Sequence, residues 1–153
     1  MSDLLNLVKP REVQLKMKAV RDGARTPTRG TEGAAGYDLY SAIKVELVNG
    51  CPCKVPTGIA FEVPEGYCMI VYSRSSSASK GLIITPLIVD SDYRGEVFVL
   101  VNNQIPDGST YELKEGDRIA QFMLHKLIDV DMKWVSELSE TSRGTGGYGS
   151  TGR

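Results

Sequence analysis

Histidine is nearly missing from this sequence, and so is any metal-binding arrangement of cysteine: His125 stands alone, and Cys51, Cys53 and Cys68 form an odd set without a CxxC pair. This argues against a structural zinc site, which needs four nitrogen or sulfur ligands at short, regular spacings. An excess of charge of one sign is missing too. Eighteen basic residues face nineteen acidic ones, for a net charge of -1. No overall positive field exists to hold a nucleic-acid polymer by counterion release, so an anionic ligand must be bound locally. Nowhere is there an apolar run approaching the roughly 18 residues of a membrane span, and the start from Met1 to Lys9 lacks a signal-peptide core. The expectation is a soluble protein without a membrane partner, its thiols free in a reducing compartment, cytoplasmic or nuclear. Helical periodicity is also scarce, except for one turn near Ser75 to Lys80.

What the chain does have is enough length and apolar content for one core: 153 residues, 41% apolar and 24% charged. Its dominant pattern has period two. Val13, Leu15, Met17 and Ala19 alternate with polar neighbours, as do Ile43, Val45 and Leu47. Further strands are expected over Gly58 to Val63, Tyr67 to Tyr72, Leu82 to Val89, Glu96 to Val101, Arg118 to Leu127 and Val130 to Val135. Turn signals such as Asn49-Gly50, Pro64-Glu65-Gly66, Pro106-Asp107-Gly108 and Glu115-Gly116-Asp117 separate them. Short strands broken this regularly predict an all-β sandwich or closed barrel over residues 11–142. Residues 1–10 form a loose arm in this reading, and the glycine-rich stretch 143–153 forms a flexible C-terminal arm.

Five short stretches carry the polar chemistry. In Ala35-Gly36-Tyr37-Asp38-Leu39 a single carboxylate lies among small and apolar residues, where Asp38 could cap a turn or hold a cation through water. Ser73-Arg74-Ser75-Ser76 sets a guanidinium beside hydroxyls, as a phosphate site or a serine-rich turn. Val89-Asp90-Ser91-Asp92-Tyr93-Arg94-Gly95 is a polar hairpin between apolar strands. Its tyrosine ring could press on a sugar and its aspartate orient a water, or it could be a solvated turn. Gly116-Asp117-Arg118-Ile119-Ala120-Gln121 runs from a turn into a strand, and its Asp-Arg pair reads as structural. The fifth stretch, the glycine-rich end, lacks the lysine and following helix of a Walker loop, since Ser150 stands at the lysine position. It remains donor-rich, with Arg143, Tyr148, Ser150, Thr151 and Arg153 able to close over a nucleotide.

Taken together, AGYDLYSA, SRSS, VDSDYRG, GDRIAQ and RGTGGYGSTG resemble, in order and spacing, the five motifs of the trimeric deoxyuridine triphosphate nucleotidohydrolases (dUTPases). The resemblance runs from about Thr28 to Gly152. It implies a jelly-roll-like β-barrel, a homotrimer with an exchanged C-terminal arm, and Mg²⁺-assisted attack of water on the α-phosphorus of dUTP, giving dUMP and pyrophosphate. By the same resemblance Asp90 orients or deprotonates the water, Tyr93 excludes ribose, and Arg74, Ser75, Ser76 and Gln121 contact the phosphates. Asp38 helps organise the metal and its waters without ligating it, Arg143 reaches the γ-phosphate, and Gly147, Tyr148 and Ser150 belong to the closing arm. Tyr148 stands where the family usually has phenylalanine.

Two departures from the family pattern are visible. Ser76 replaces a glycine whose amide approaches phosphate. Thr85-Pro86-Leu87 replaces a small, glycine-rich hairpin that reads uracil through its backbone, and Pro86 has no N–H to offer. These keep open a nucleotide-binding regulatory protein with weak or altered turnover. A dCTP deaminase shares the fold, but no residue here is assignable as its glutamate base. His125 is read as a satisfied, partly buried histidine, Trp134 as packing, and Cys51 and Cys53 as incidental.

Overall fold

A computed structural model describes residues 13–147. In chain order the elements are β1 (Lys16–Ala19), β2 (Tyr37–Tyr40), β3 (Val45–Leu47), β4 (Pro52–Glu62), β5 (Tyr67–Tyr72), α1 (Ser75–Ala78), β6 (Leu82–Ile84), β7 (Leu87–Val89), β8 (Glu96–Asn103), β9 (Tyr111–Leu113) and β10 (Arg118–Lys126). They form two four-stranded sheets, ordered β1-β4-β8-β6 and β2-β10-β5-β7, with β3 and β9 as a small third sheet. Every pairing between these strands is antiparallel. The result is the expected jelly-roll-like β-barrel.

Period-two patterning builds the core directly. Along β8, Val97, Val99 and Val101 are buried while Phe98 and Leu100 between them are half-exposed. They meet Val55 and Phe61 of β4 and, from the other sheet, Leu39, Met69, Val71 and Phe122, all in one cluster. Asn103 is fully buried but satisfied. Its Nδ2 donates to the carbonyls of Leu47 (2.7 Å) and Ser109 (2.8 Å), and its Oδ1 accepts from the Ile105 amide (3.0 Å). His125 is half-buried with Nε2 3.1 Å from the Tyr72 hydroxyl, as expected.

Several elements differ from expectation. The single strand expected over Leu82 to Val89 is two strands in two sheets, divided at Thr85-Pro86: the Thr85 amide still donates to Leu100 (3.0 Å), and Pro86 cannot continue the ladder. Strand β4 begins at Pro52 rather than Gly58. Its prolines are tolerated because Pro52 and Pro56 lie where only β8 pairs with it, whereas β1 pairs with Ile59 to Glu62. Gly58, at φ +75, breaks the register between these halves. Strands β2 and β9 were not expected. Val130 to Val135 forms no strand, and Trp134 is fully exposed within the single chain rather than packed. Alternation alone makes no strand where no sheet edge of the same chain lies alongside.

Candidate active site

Strand register, rather than proximity in sequence, gathers the first part of the site. Asp38 on β2 pairs with Gln121 on β10, and Gln121 pairs with Tyr72 at the end of β5, just before Ser73-Arg74. Three of the five stretches thus lie side by side. Arg74 Nε donates to Asp38 Oδ1 at 2.8 Å, and Arg118 Nη1 approaches Oδ2 at 3.4 Å. Gln121 Nε2 donates to the Ser73 carbonyl at 2.9 Å, tying β10 to the seryl turn. Asp38 is buried, Ser75 and Ser76 are exposed, and two guanidiniums share a single carboxylate. The cluster keeps a positive balance beside a cavity of about 210 Å³ whose mouth carries Arg74, Ser76, Lys80, Asp117 and Arg118, over a floor of apolar residues such as Leu82 and Ile119. Such a site suits the oxygens of a polyanion.

Gly36 is required by this packing. A Cβ there would come 2.6 Å from Gln121 Oε1 and 3.2 Å from its Cβ. Gly36→Ala should therefore push the Gln121 amide off the Ser73 carbonyl.

The second part lies after β7. Asp90 and Tyr93 border a separate cavity of about 230 Å³ with Leu87, Ile88, Lys54 and Glu96. Its apolar walls and single exposed carboxylate suit a base and sugar rather than a phosphate chain. Strand β7 is the last of its sheet, and among the described residues its outer edge carries no partner strand. The Tyr93 hydroxyl donates to the Glu96 carbonyl at 3.1 Å.

These two parts share no lining residue within one chain. Val89, next to Asp90, faces Met69 on β5, and at about 3.3 Å per residue the roughly five positions on to Arg74 separate the two by about 17 Å. Arg143 is exposed in a turn of its own, its Nε donating to the Gly146 carbonyl at 2.8 Å, and Gly147 is exposed. Tyr148 and Ser150 lie outside the described residues.

Two charged residues beside the cavities were not singled out from the sequence. Arg118 was read as structural, yet its guanidinium faces Asp38 and the phosphate-sized cavity. Glu96, at the first position of β8, accepts from Arg21 Nε and Nη2 at 3.0 Å each and from the Gly58 amide at 2.9 Å. Arg21 holds the Glu96 carboxyl below its ordinary range; burial opposes this and the Gly58 amide adds to it. No sequence signal marks the Arg21–Glu96 pair, because its members are 75 residues apart.

Among the described residues no three histidine, cysteine or acidic side chains cluster as a metal cage. The donor set fits a cation carried on a polyphosphate. Asp38 is buried and each of its oxygens meets an arginine.

The barrel carries an arginine-rich cluster around Asp38 and, at a separate place, a pocket bordered by Asp90 and Tyr93, an arrangement that suits a protein of the nucleotide-binding class. The dUTPase family model matches residues 22–152, and the chain belongs to the dUTPase family. The deoxyuridine 5'-triphosphate nucleotidohydrolase of Paramecium bursaria Chlorella virus 1 is 42% identical over 139 residues, covering 90% of this chain and 97% of the relative. Among solved structures, a variant of the Staphylococcus bacteriophage 80alpha dUTPase with dUpNHpp matches with a TM-score of 0.84 at 28% identity, covering 92% of this chain and 99% of that one. A variant of the dUTPase of phage phi11 of S. aureus, described with a structural Mg(II) ion, matches with a TM-score of 0.75 at 27% identity, covering 82% and 98%.

Proposed function

We propose that this protein hydrolyses dUTP to dUMP and pyrophosphate in sites completed by neighbouring copies of the chain, as a homotrimer. The observation that carries this reading is the division of the site. An anion cluster around Asp38, Arg74, Arg118 and Gln121 and a nucleoside pocket around Asp90 and Tyr93 stand at different places on one subunit. The two cavities share no lining residue, which favours a triphosphate drawing them from different copies.

The unpartnered surface supports the same reading. Ile128, Val130, Met132, Trp134 and Leu138 project into solvent from a segment without regular structure, more apolar surface than a monomer ordinarily leaves bare. A groove of about 760 Å³, lined by Leu15, Met17, Tyr37, Phe122 and Leu124, opens beside the edge strands β1 and β2. It is suited to receive such a segment from a second copy.

In the mechanism Asp90 orients and deprotonates a water for in-line attack on the α-phosphorus. The P–O bond to the β-phosphate breaks and pyrophosphate leaves. Arg74, Gln121 and the seryl turn hold the phosphates, and Arg143 with Gly147, Tyr148 and Ser150 closes over the nucleotide. Mg²⁺, when bound to the triphosphate, neutralises charge, with Asp38 holding its water shell. Catalysis comes from positioning and charge neutralisation rather than a covalent intermediate. The three cysteines, unpaired in the fold, fit a reducing compartment, cytoplasmic or nuclear.

Assaying pyrophosphate release across all the deoxynucleoside triphosphates, with product identification, tests the reading. dUMP and pyrophosphate from dUTP are expected. Release of ammonia from dCTP, or tight binding of dUTP without turnover, would replace it by the deaminase or the regulatory reading. The regulatory reading draws on Ser76 and on the missing donor at Pro86. Tyr93→Ala should lower the preference for dUTP over UTP by about tenfold, and an unchanged ratio would remove Tyr93 from the sugar. Gly36→Ala should cost about tenfold in kcat/KM through the displaced Gln121, roughly one lost hydrogen bond to a charged group. Wild-type kinetics in that variant would show that Gln121 is not needed where it stands.

A further inference from the structure

A steric gate discriminates only if it stays put; the hairpin fixes the backbone of Tyr93, whose carbonyl accepts from Arg94 Nη1 at 3.0 Å, but leaves its ring exposed. The residue is exposed, its amide donates to the Asp90 carbonyl at 3.2 Å, and its ring lies over Gly95, where any Cβ would overlap it. The hydroxyl ends on one acceptor, the Glu96 carbonyl, 3.1 Å away. That carbonyl is the one side-chain hydrogen-bond partner fixing the hydroxyl end of the ring.

Glu96 is in turn the most firmly tethered residue at this end of the hairpin. Its carboxylate, with a side chain only 13% exposed, receives both arms of the Arg21 fork and the Gly58 amide. Arg21 follows β1, and Gly58 sits at the register break of β4, where its carbonyl also accepts from the Val20 amide at 2.8 Å. Only a glycine holds this position readily, because φ is +75 and a Cβ would come 2.9 Å from Ala24. One carboxylate thus fastens the start of β8 to two segments outside all five motifs.

We infer that the Arg21–Glu96 pair is the positioning device for Tyr93 and thereby sets how strongly the site rejects a ribonucleotide. This rests on the proposed role of Tyr93 at the sugar. Neither Arg21 nor the Glu96 carboxylate need touch the nucleotide; the pair acts through the Glu96 carbonyl and the tyrosine hydroxyl. Since the arginine keeps the carboxyl ionised below the ordinary range, the clamp stays formed throughout the neutral range.

The test is a double-mutant cycle read as the ratio of kcat/KM for dUTP to that for UTP. Arg21→Ala, Glu96→Gln and Tyr93→Phe are each expected to lower the ratio by a similar factor, about tenfold. Arg21→Ala added to Tyr93→Phe should lower it no further, and Arg21→Lys should restore part of it by keeping one of the two donors. A merely structural pair would lower both rate constants together and leave the ratio alone, as a thermal melt alongside would reveal. An unchanged ratio in folded Arg21→Ala and Glu96→Gln, or fully additive effects with Tyr93→Phe, overturns the inference. If Tyr93→Ala itself leaves the ratio unchanged, the sugar role of Tyr93 fails first, a distinguishable result.

Discussion

Asp90→Asn is expected to lower kcat for dUTP by about 10³-fold, the middle-to-upper range for removing a positioned general base, while nucleotide affinity changes little. The expectation follows from how the site is divided. Asp90 lies beyond the end of edge strand β7, in the nucleoside pocket, whereas the polyanion cluster lies around Asp38, Arg74 and Arg118. Asparagine has the shape of aspartate and still accepts through one oxygen, so binding by the phosphates and the base survives. It cannot take a proton from water, so the attacking nucleophile is no longer generated. Single-turnover kinetics give the chemical step, and titration with a non-hydrolysable dUTP analogue gives binding. Near-normal turnover in Asp90→Asn would remove this carboxylate from the reaction. A large loss of affinity with unchanged chemistry would instead make it a sugar contact. Asp92, two residues on and exposed at the same hairpin, is the internal comparison: Asp92→Asn should be mild.

The fold was legible where an apolar run lies between turn signals. The bounds of β5 were legible in full and those of β8 in their first six residues, because such a run has few alternatives to a strand. The alternation of burial along β8 was not, since Phe98 and Leu100 are as apolar as their buried neighbours. Where tertiary geometry decides, legibility ended. Pro52 and Pro56 argue against a strand locally, yet β4 contains both, because the edge left without a donor is one that β1 does not reach. Thr85-Pro86 looks like the middle of an apolar run and is the point where the chain changes sheets.

For the site, the five stretches named most of the polar residues. Nothing in their spacing says that Asp38, Gln121 and the Tyr72–Arg74 end of β5 share neighbouring strands, because that follows from β10 lying between β2 and β5. Arg118 was read as structural, and its partner could not be named, because an Asp-Arg sequence suggests a local pair. Its actual partner is Asp38, 80 residues away, while Asp117 turns back to the Lys114 amide at 2.8 Å. Glu96 and Arg21 were invisible for the same reason. A long-range ion pair leaves no periodic trace in sequence, and only the register of Ala60 with Glu96 brings the second to the first.

Deleting residues 143–153 is expected to leave the assembly intact and to reduce kcat/KM for dUTP by about 10³-fold, comparable to withdrawing an arginine from a phosphoryl-transfer site. The barrel's regular structure ends at Lys126, and from there to Gly147 the chain carries no strand. Two functions are separable along that length. The stretch 127–138 presents Ile128, Met132, Trp134 and Leu138 to solvent in the single chain, surface open to a second copy. At about 25 cal/mol per Å², burying a few such side chains contributes several kcal/mol to association. The stretch from Arg143 onward is polar and glycine-rich, which suits closure over a bound nucleotide rather than permanent packing. Shortening the chain to residue 142 should therefore cost activity without assembly, while shortening it to residue 126 should cost both, leaving a monomer. Analytical ultracentrifugation and turnover on the two truncations make the comparison. Full activity in the first would show that closure of the arm is not needed. A stable trimer in the second would show that the apolar segment does not join the copies, and the division of labour along the arm would have to be abandoned.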